Sequence, residues 1–333
     1  MLHLRVISPS DRTVDVLGLL DGASGVTNVV VLPGAGHRPK GDVVLFDAAR
    51  EATNEVIERL KELRLPEEGS IAVERVDLSL SDVADTAEAE APGAPEDAVV
   101  WEEFARQVAS DCRITWAYLV FLTIATQLTA IGVLLPSIIL IVGAMVLGPE
   151  FGAVTGIAFG LLRRDRQLIV SAARALVIGF AVAIAITCVC ALVFSALGWI
   201  TPQSLSGHNE VEFIVKPDKW SFIVALLAGT AGVLSVTAGK SSALVGVFIS
   251  VTTVPAAGYA AVAIALGRWG DVGGSVVQLA VNIAGMVISG TATLLVQRFF
   301  WAKYGLRITH PSPSSRPVGS GPPTAGMRRG SSM

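Results

Sequence analysis

The chain has 333 residues, of which 52% are hydrophobic and 16% charged, with a formal net charge of −3 and a mean hydropathy of +0.62. Soluble domains carry about 25% charged residues, so this composition excludes an ordinary soluble protein and indicates an integral membrane protein. Charge gathers before residue 114 and after residue 301, which places a soluble head ahead of a membrane body.

The opening stretch MLHLRVISPSDR lacks the basic n-region and long apolar core of a secretory signal, so the head is expected in the cytoplasm. Residues 1–77 alternate patterns of period two and 3.6. Leu2 to Ile7 reads as a strand, and Ser10 or Asp11 can cap a helix running through Leu20. Val26 to Leu32 and Asp42 to Phe46 read as strands flanking a turn-rich loop, PGAGHRPKG. A helix over Asp47 to Leu63 and a strand over Ile71 to Val76 complete a β-α-β-β-α-β order, the ferredoxin-like split pattern. Ser8, Ser10, Asp11 and Arg12 could hold an anion at the first helix N-terminus, but capping accounts for Ser and Asp there unaided. His37, in the Gly/Pro loop, reads as solvated rather than as a metal ligand.

Residues 78–98 are acidic, small and proline-containing, the composition of a flexible linker. Over 99–113 an amphipathic helix can lay Val100, Trp101, Phe104 and Val108 on the membrane surface, or extend the first span. Within 114–300, hydropathy predicts six transmembrane helices near 114–135, 137–162, 168–198, 220–239, 242–266 and 273–298. Six crossings put both termini on one side. One set of flanks carries Arg106, Arg113, Arg163, Arg164, Arg166, Lys240, Arg298, Lys303 and Arg307, the other only Lys216, Lys219 and Arg268. The positive-inside rule then predicts cytoplasmic N- and C-termini in a plasma (inner) membrane protein. Arg174, two turns into the third span, is expected to snorkel. Cys112, Cys188 and Cys190 form no disulfide framework and read as packing residues. Residues 301–333, basic and rich in Pro, Ser and Gly, read as a disordered tail.

The second span is interrupted by Gly148-Pro149-Glu150. Proline removes a helix donor and crowds the preceding turn, so one helix is expected to end there and another to begin. Gly148, Gly152, Gly156 and Gly160 recur every four residues, a stripe on which a neighbouring helix can pack closely. An ionised Glu150 within a span costs about 2.5 to 3.5 kcal/mol on insertion scales, which marks it as functional; a protonated Glu serving only as interhelical glue is the alternative. If spans one to three and four to six form a 3+3 inverted repeat, Pro149 to Gly152 corresponds to Pro255 to Gly258, each Pro-x-x-Gly. Paired interruptions of this kind point to a midplane site, here Glu150, Pro149, Pro255, Thr252 and Thr253. Gln278 and Asn282, one turn apart in the sixth span, either line that site or join helices.

Three stretches, SIILIVGAMVLGPEFGAVTGIAFGLLRRD, SSALVGVFISVTTVPAAGYAAVAIALG and GGSVVQLAVNIAGMVISG, following a small ferredoxin-like head, resemble the bacterial and archaeal membrane family called domain of unknown function 389. A single Pro255 stands where that family often has two prolines. The resemblance implies fold and membrane location and carries no activity.

Gly239-Lys240-Ser241-Ser242 is not a phosphate loop, because Leu234 stands where Walker A needs Gly. No His lies in a predicted span and no hydrolytic triad is legible, so neither enzyme chemistry nor a cofactor or metal is expected. Expected partners are membrane lipid, an unidentified small solute or ion and, as an open alternative, further copies of the chain; nucleic acid is not among them. A small-solute or ion transporter or channel with a regulatory or assembly head is the favoured function. The competing reading is a membrane-anchored sensor or scaffold whose head binds a small ligand.

Overall fold

A computed structural model describes residues 1–76, 79–91, 99–205, 219–238 and 253–304. Its head contains β1 (Leu2–Ser8), α1 (Thr13–Asp21), β2 (Val26–His37), β3 (Lys40–Ala48), α2 (Arg50–Glu62), the single turn α3 (Leu65–Glu68) and β4 (Ser70–Arg75). The strands form one antiparallel sheet in the order β2-β3-β1-β4. Alternation decides which face is buried. Leu2, Leu4 and Val6 of β1 and Val44 and Phe46 of β3 face Val16 and Leu20 of α1 and Val56, Ile57 and Leu60 of α2.

Two local expectations change. The segment expected as a loop between β2 and β3 is a hairpin, with strand to His37, a cis Arg38-Pro39 peptide and strand again from Lys40. Its anchor is Asp42, which accepts hydrogen bonds from Gly34 N at 2.8 Å, Thr13 Oγ1 at 2.8 Å and Ser10 Oγ at 3.0 Å. Ser10 is thereby drawn away from capping, and α1 begins at Thr13 behind Arg12 with no side-chain cap. His37 is exposed.

The stretch expected as a flexible linker holds a helix, α4 (Asp82–Glu90), capped by Ser81 Oγ, which accepts from Ala84 N at 3.3 Å. Ala84, Ala87 and Ala91 are buried, and α4 lies against β2 and β3. Alanines at this spacing make a narrow apolar face, while the acids that suggested a linker occupy the other.

Next, α5 (Trp101–Asp111) ends at Cys112, and α6 (Trp116–Leu134) starts anew with Thr115 as its cap, so α5 does not extend the first span. Nor does its apolar face lie on lipid. Phe104, Val108 and Cys112 pack with Phe159, Ala158 and Ala172, while Val100 joins the core of the head. Both possibilities read from the sequence satisfied amphipathicity; a protein surface turned out to be available.

The membrane body continues through α7 (Ile138–Leu147), α8 (Glu150–Arg163), α9 (Arg166–Ala196), α10 (Lys219–Thr237), α11 (Thr253–Ala265) and α12 (Trp269–Tyr304). By length and composition α6, α9, α10 and α12 can each cross a membrane, and the bent pair α7 and α8 makes a fifth candidate. The described part of the expected fifth span is the shorter α11; residues 239–252, with Thr252 and Lys240, lie outside the described residues. Large apolar side chains such as Ile139, Val177 and Leu227 are exposed on the bundle's outer faces, as in a bundle whose solvent is lipid. The protein is thus mostly helical and membrane-embedded, with a small antiparallel sheet at its N-terminal end.

Among the described residues two sets of contacts join head and body. At the first, Asn54 of α2 clamps the start of α5: its Nδ2 donates to Val99 O at 2.7 Å and its Oδ1 accepts from Trp101 N at 3.1 Å. Trp101 then stacks on Phe159 of α8 with ring centroids 6.3 Å apart, and Phe104 meets the same ring edge-on at 4.9 Å. At the second, Arg50 donates to the carbonyl of Thr237 at 3.2 Å, at the C-terminal end of α10, where a cation complements the helix dipole. The Thr237 hydroxyl also accepts from Gln297 Nε2 of α12 at 2.9 Å.

Candidate functional site

The axes of α7 and α8 differ by 51°. The cause is local: a residue before proline is steered away from helical backbone, and Gly148 accordingly has φ −69° and ψ 119°. Pro149 is the N-cap of α8, and Glu150 stands in its first turn, at the positive end of the new helix dipole. Gly148 also makes room. A Cβ there would lie 2.3 Å from Glu150 Oε2 and 2.8 Å from a Val254 methyl, so the carboxylate rests directly on the break.

Glu150 is 6% exposed. Its Oε1 accepts from Thr253 Oγ1 at 2.6 Å, and its Oε2 has no hydrogen-bond partner on another described residue. Thr253 is fully buried and is the first described residue of α11, so the break in α7 and α8 meets the N-terminal end of a second short helix. Pro255 sits inside the first turn of α11, where its missing N–H costs no helical bond. Within the described residues α11 starts two residues before Pro255, and the stretch ahead of it, where the paired interruption of the fifth span is expected, lies outside the described residues. Gln278 and Asn282 are buried on α12, but the side-chain hydrogen bond to Glu150 comes from Thr253.

The glycine stripe divides at the break. Gly148 belongs to the carboxylate's seat, not to the α8 face. A Cβ at Gly152 would lie 2.7 Å from Asp111 Cβ, and one at Gly156 would lie 2.1 Å from Cys112 Sγ. At Gly160 the neighbour is Ile169 at 2.6 Å. The stripe thus seats α5 and the start of α9, an outcome that spacing alone did not assign.

Chemically, a carboxyl held by one hydroxyl can be a neutral acid or a carboxylate. Thr253 donates to Oε1 in either form, which leaves Oε2 as the atom where a proton is gained or lost. A calcium-like cation takes about six to eight oxygens, and among the described residues no three His, Cys, Asp or Glu side chains converge on one point.

Residues 145–288 match the family model described as "Domain of unknown function (DUF389)", a segment holding Glu150, Thr253, Gln278 and Asn282. An uncharacterised protein of Methanocaldococcus jannaschii is 21% identical over 203 residues, 61% of this chain and 60% of the relative. No solved structure matches the chain.

Proposed function

We propose that this chain, whose membrane body is similar to the DUF389 family, is a small-solute or ion transporter in which Glu150 carries a proton at a broken-helix site. One observation carries the reading: a buried carboxylate at the bend between α7 and α8, hydrogen-bonded across to the start of α11. Acids inside membrane bundles mark ion pathways and proton relays, and interrupted helices supply binding sites in secondary transporters. Six spans with both termini in the cytoplasm of a plasma-membrane protein complete the proposal, supported by the Lys/Arg asymmetry of the flanks. The head is proposed as ferredoxin-like, supported by its element order and its β2-β3-β1-β4 sheet. No enzymatic step and no cofactor are part of it.

A second reading, the membrane-anchored sensor, is favoured by a cleft of about 620 Å³ between β4, α2 and the start of α5, lined by Ile71, Val100 and Arg106 and by the ion pairs Lys61–Glu102 and Arg75–Glu103. That size suits a small ligand. The deciding experiment is a solute- and ion-loss screen on the full chain in liposomes under an imposed pH gradient, wild type beside Glu150→Gln. Flux that disappears in the variant while insertion is preserved supports transport; every measurable flux unchanged sinks it. Metabolite binding to the head without flux supports the sensor.

A further inference from the structure

At the elbow between α5 and α6 a cavity of about 430 Å³ is lined by Gln107, Asp111, Arg113, Tyr118, Pro149 and Thr155, among others. It has room for on the order of ten water molecules. Its position, its inner hydroxyl and its outer carboxyl bear together on how a proton reaches Glu150.

The inner wall is the first turn of α8. Pro149 and Gly152, on either side of Glu150 in the chain, both line the cavity, and Asp111 lies directly over Gly152. The Glu150 carboxylate rests on Gly148, so Pro149, which has no N–H, separates it from the cavity along the chain. Thr155 is 2% exposed, lines the cavity, and its Oγ1 has no hydrogen-bond partner among the described residues. Thr126, Thr129, Thr230, Thr237 and Thr291 each donate to the carbonyl one turn earlier, whereas the buried Thr155 and, on α9, Thr187 do not, and of these two Thr155 lines the cavity.

At the outer end Asp111 is exposed, makes no hydrogen bond or ion pair among the described residues, and partial desolvation pushes its carboxyl up from the ordinary carboxylate range. Among the described residues the other titratable groups on the lining are Arg113 and Tyr118, and the Tyr118 hydroxyl is committed to Ala175 O at 3.1 Å. From α8 and α10 the lining receives only Pro149, Phe151, Gly152, Thr155 and Val236, none of which titrates.

We propose that this cavity is the water-filled vestibule through which protons reach Glu150 from the side of the head, with Asp111 as the outer proton acceptor and Thr155 as the hydroxyl at its inner end. The inference rests on the reading of Glu150 as the proton-carrying group. Each step hands on one proton: Asp111 releases it to cavity water, water held on the Thr155 hydroxyl passes it on past Pro149, and Glu150 Oε2 receives it.

Infrared spectroscopy of the full chain in lipid bilayers tests this without knowing the solute. The band of protonated Glu150 is identified by its loss in Glu150→Gln, and its hydrogen-to-deuterium exchange is timed. Asp111→Asn is expected to slow that exchange about tenfold or more. In a chain with Cys112, Cys188 and Cys190 replaced by alanine, Thr155→Cys is expected to react with a charged thiosulfonate added on the head side, and the modification to slow exchange likewise. Unchanged exchange in Asp111→Asn, or a residue 155 thiol that stays unmodified, overturns the vestibule. If instead no band is lost in Glu150→Gln, the proton-carrying reading itself fails, and thiol modification still decides whether the cavity opens toward the head.

Discussion

Gly156→Ala probes the seam between α5 and α8 with a single methyl. That methyl would sit 2.1 Å from Cys112 Sγ, 3.1 Å from Ala172 Cβ and 3.7 Å from a Val108 methyl. Non-bonded contact needs roughly 3.5 Å or more, so α5 must retreat by roughly 1.4 Å or the methyl must be squeezed. Overpacking of this kind costs about 1 to 3 kcal/mol. Alanine is also a better helix former than glycine by about 1 kcal/mol, but that gain accrues to α8 whether or not α5 is docked, and so cancels from the docking equilibrium. Opening of α5 should therefore rise about 5- to 150-fold, read as faster amide exchange over residues 101–111. Removing the sulfur relieves the clash, because the remaining neighbours need move only a few tenths of an ångström. Gly156→Ala with Cys112→Ala should thus recover protection relative to Gly156→Ala, with a coupling of about 0.5 to 3 kcal/mol in a double-mutant cycle. If the two effects simply add, the sulfur is not what holds the helices apart and the close approach of α5 to α8 is wrong.

Three further outcomes are expected. The Gly34 N–H, with the Thr13 and Ser10 hydroxyls, holds the Asp42 carboxyl below its ordinary range, so the folded head binds that proton less readily than the unfolded chain. Its contribution is full above the unfolded value near pH 4 and is lost as pH falls through the lowered folded value. Asp42→Asn should flatten this acid dependence in hairpin amide exchange, and an unchanged pH profile counts against the clamp. Glu51 has the opposite sign: burial raises its carboxyl, so stability declines as pH rises from the unfolded value through the raised one. Glu51→Gln should raise the melting temperature at neutral pH and leave it little altered in acid, whereas a lowered value at neutral pH would show that the charge is used. Asn54→Ala removes both bonds that hold the start of α5 and should cost about 1 to 3 kcal/mol, seen as faster protease cleavage between residues 91 and 101. Unchanged cleavage would mean that the aromatic seam suffices.

The order of elements in the head is legible because Leu2, Leu4 and Val6 alternate and Val56, Ile57 and Leu60 follow a helical face. Both patterns are local. The hairpin through residues 33–41 was not legible, since its anchor, Asp42, is tied to Ser10 and Thr13 by contacts 32 and 29 residues apart. In α4 the signal was present as Ala84, Ala87 and Ala91, but surrounding acids outweighed it. The break at Gly148-Pro149 follows from sterics alone. The paired Pro-x-x-Gly segments put Thr253, 103 residues away, among the candidate partners of Glu150, but which of Thr252, Thr253, Gln278 and Asn282 would donate to it is set by packing that no local pattern encodes. The occupant of the glycine stripe was missed for a related reason: small residues announce a close neighbour without identifying it, and here two of the glycines receive a helix that is not a span.

The contact from Arg50 to Thr237 changes how the head can move. Held by α5 alone, it could turn about that helix as a flag turns on a pole. The grip on the end of α10, a helix more than one hundred residues further along the chain, removes that rotation, because any swing must either release the Thr237 carbonyl or pull α10 with it. Force on the head is therefore delivered to two helices at once: to α8 through the Phe159 seam and to α10 through its last carbonyl. Since α10 packs along α12 and Thr237 also holds Gln297, the second grip reaches a third helix.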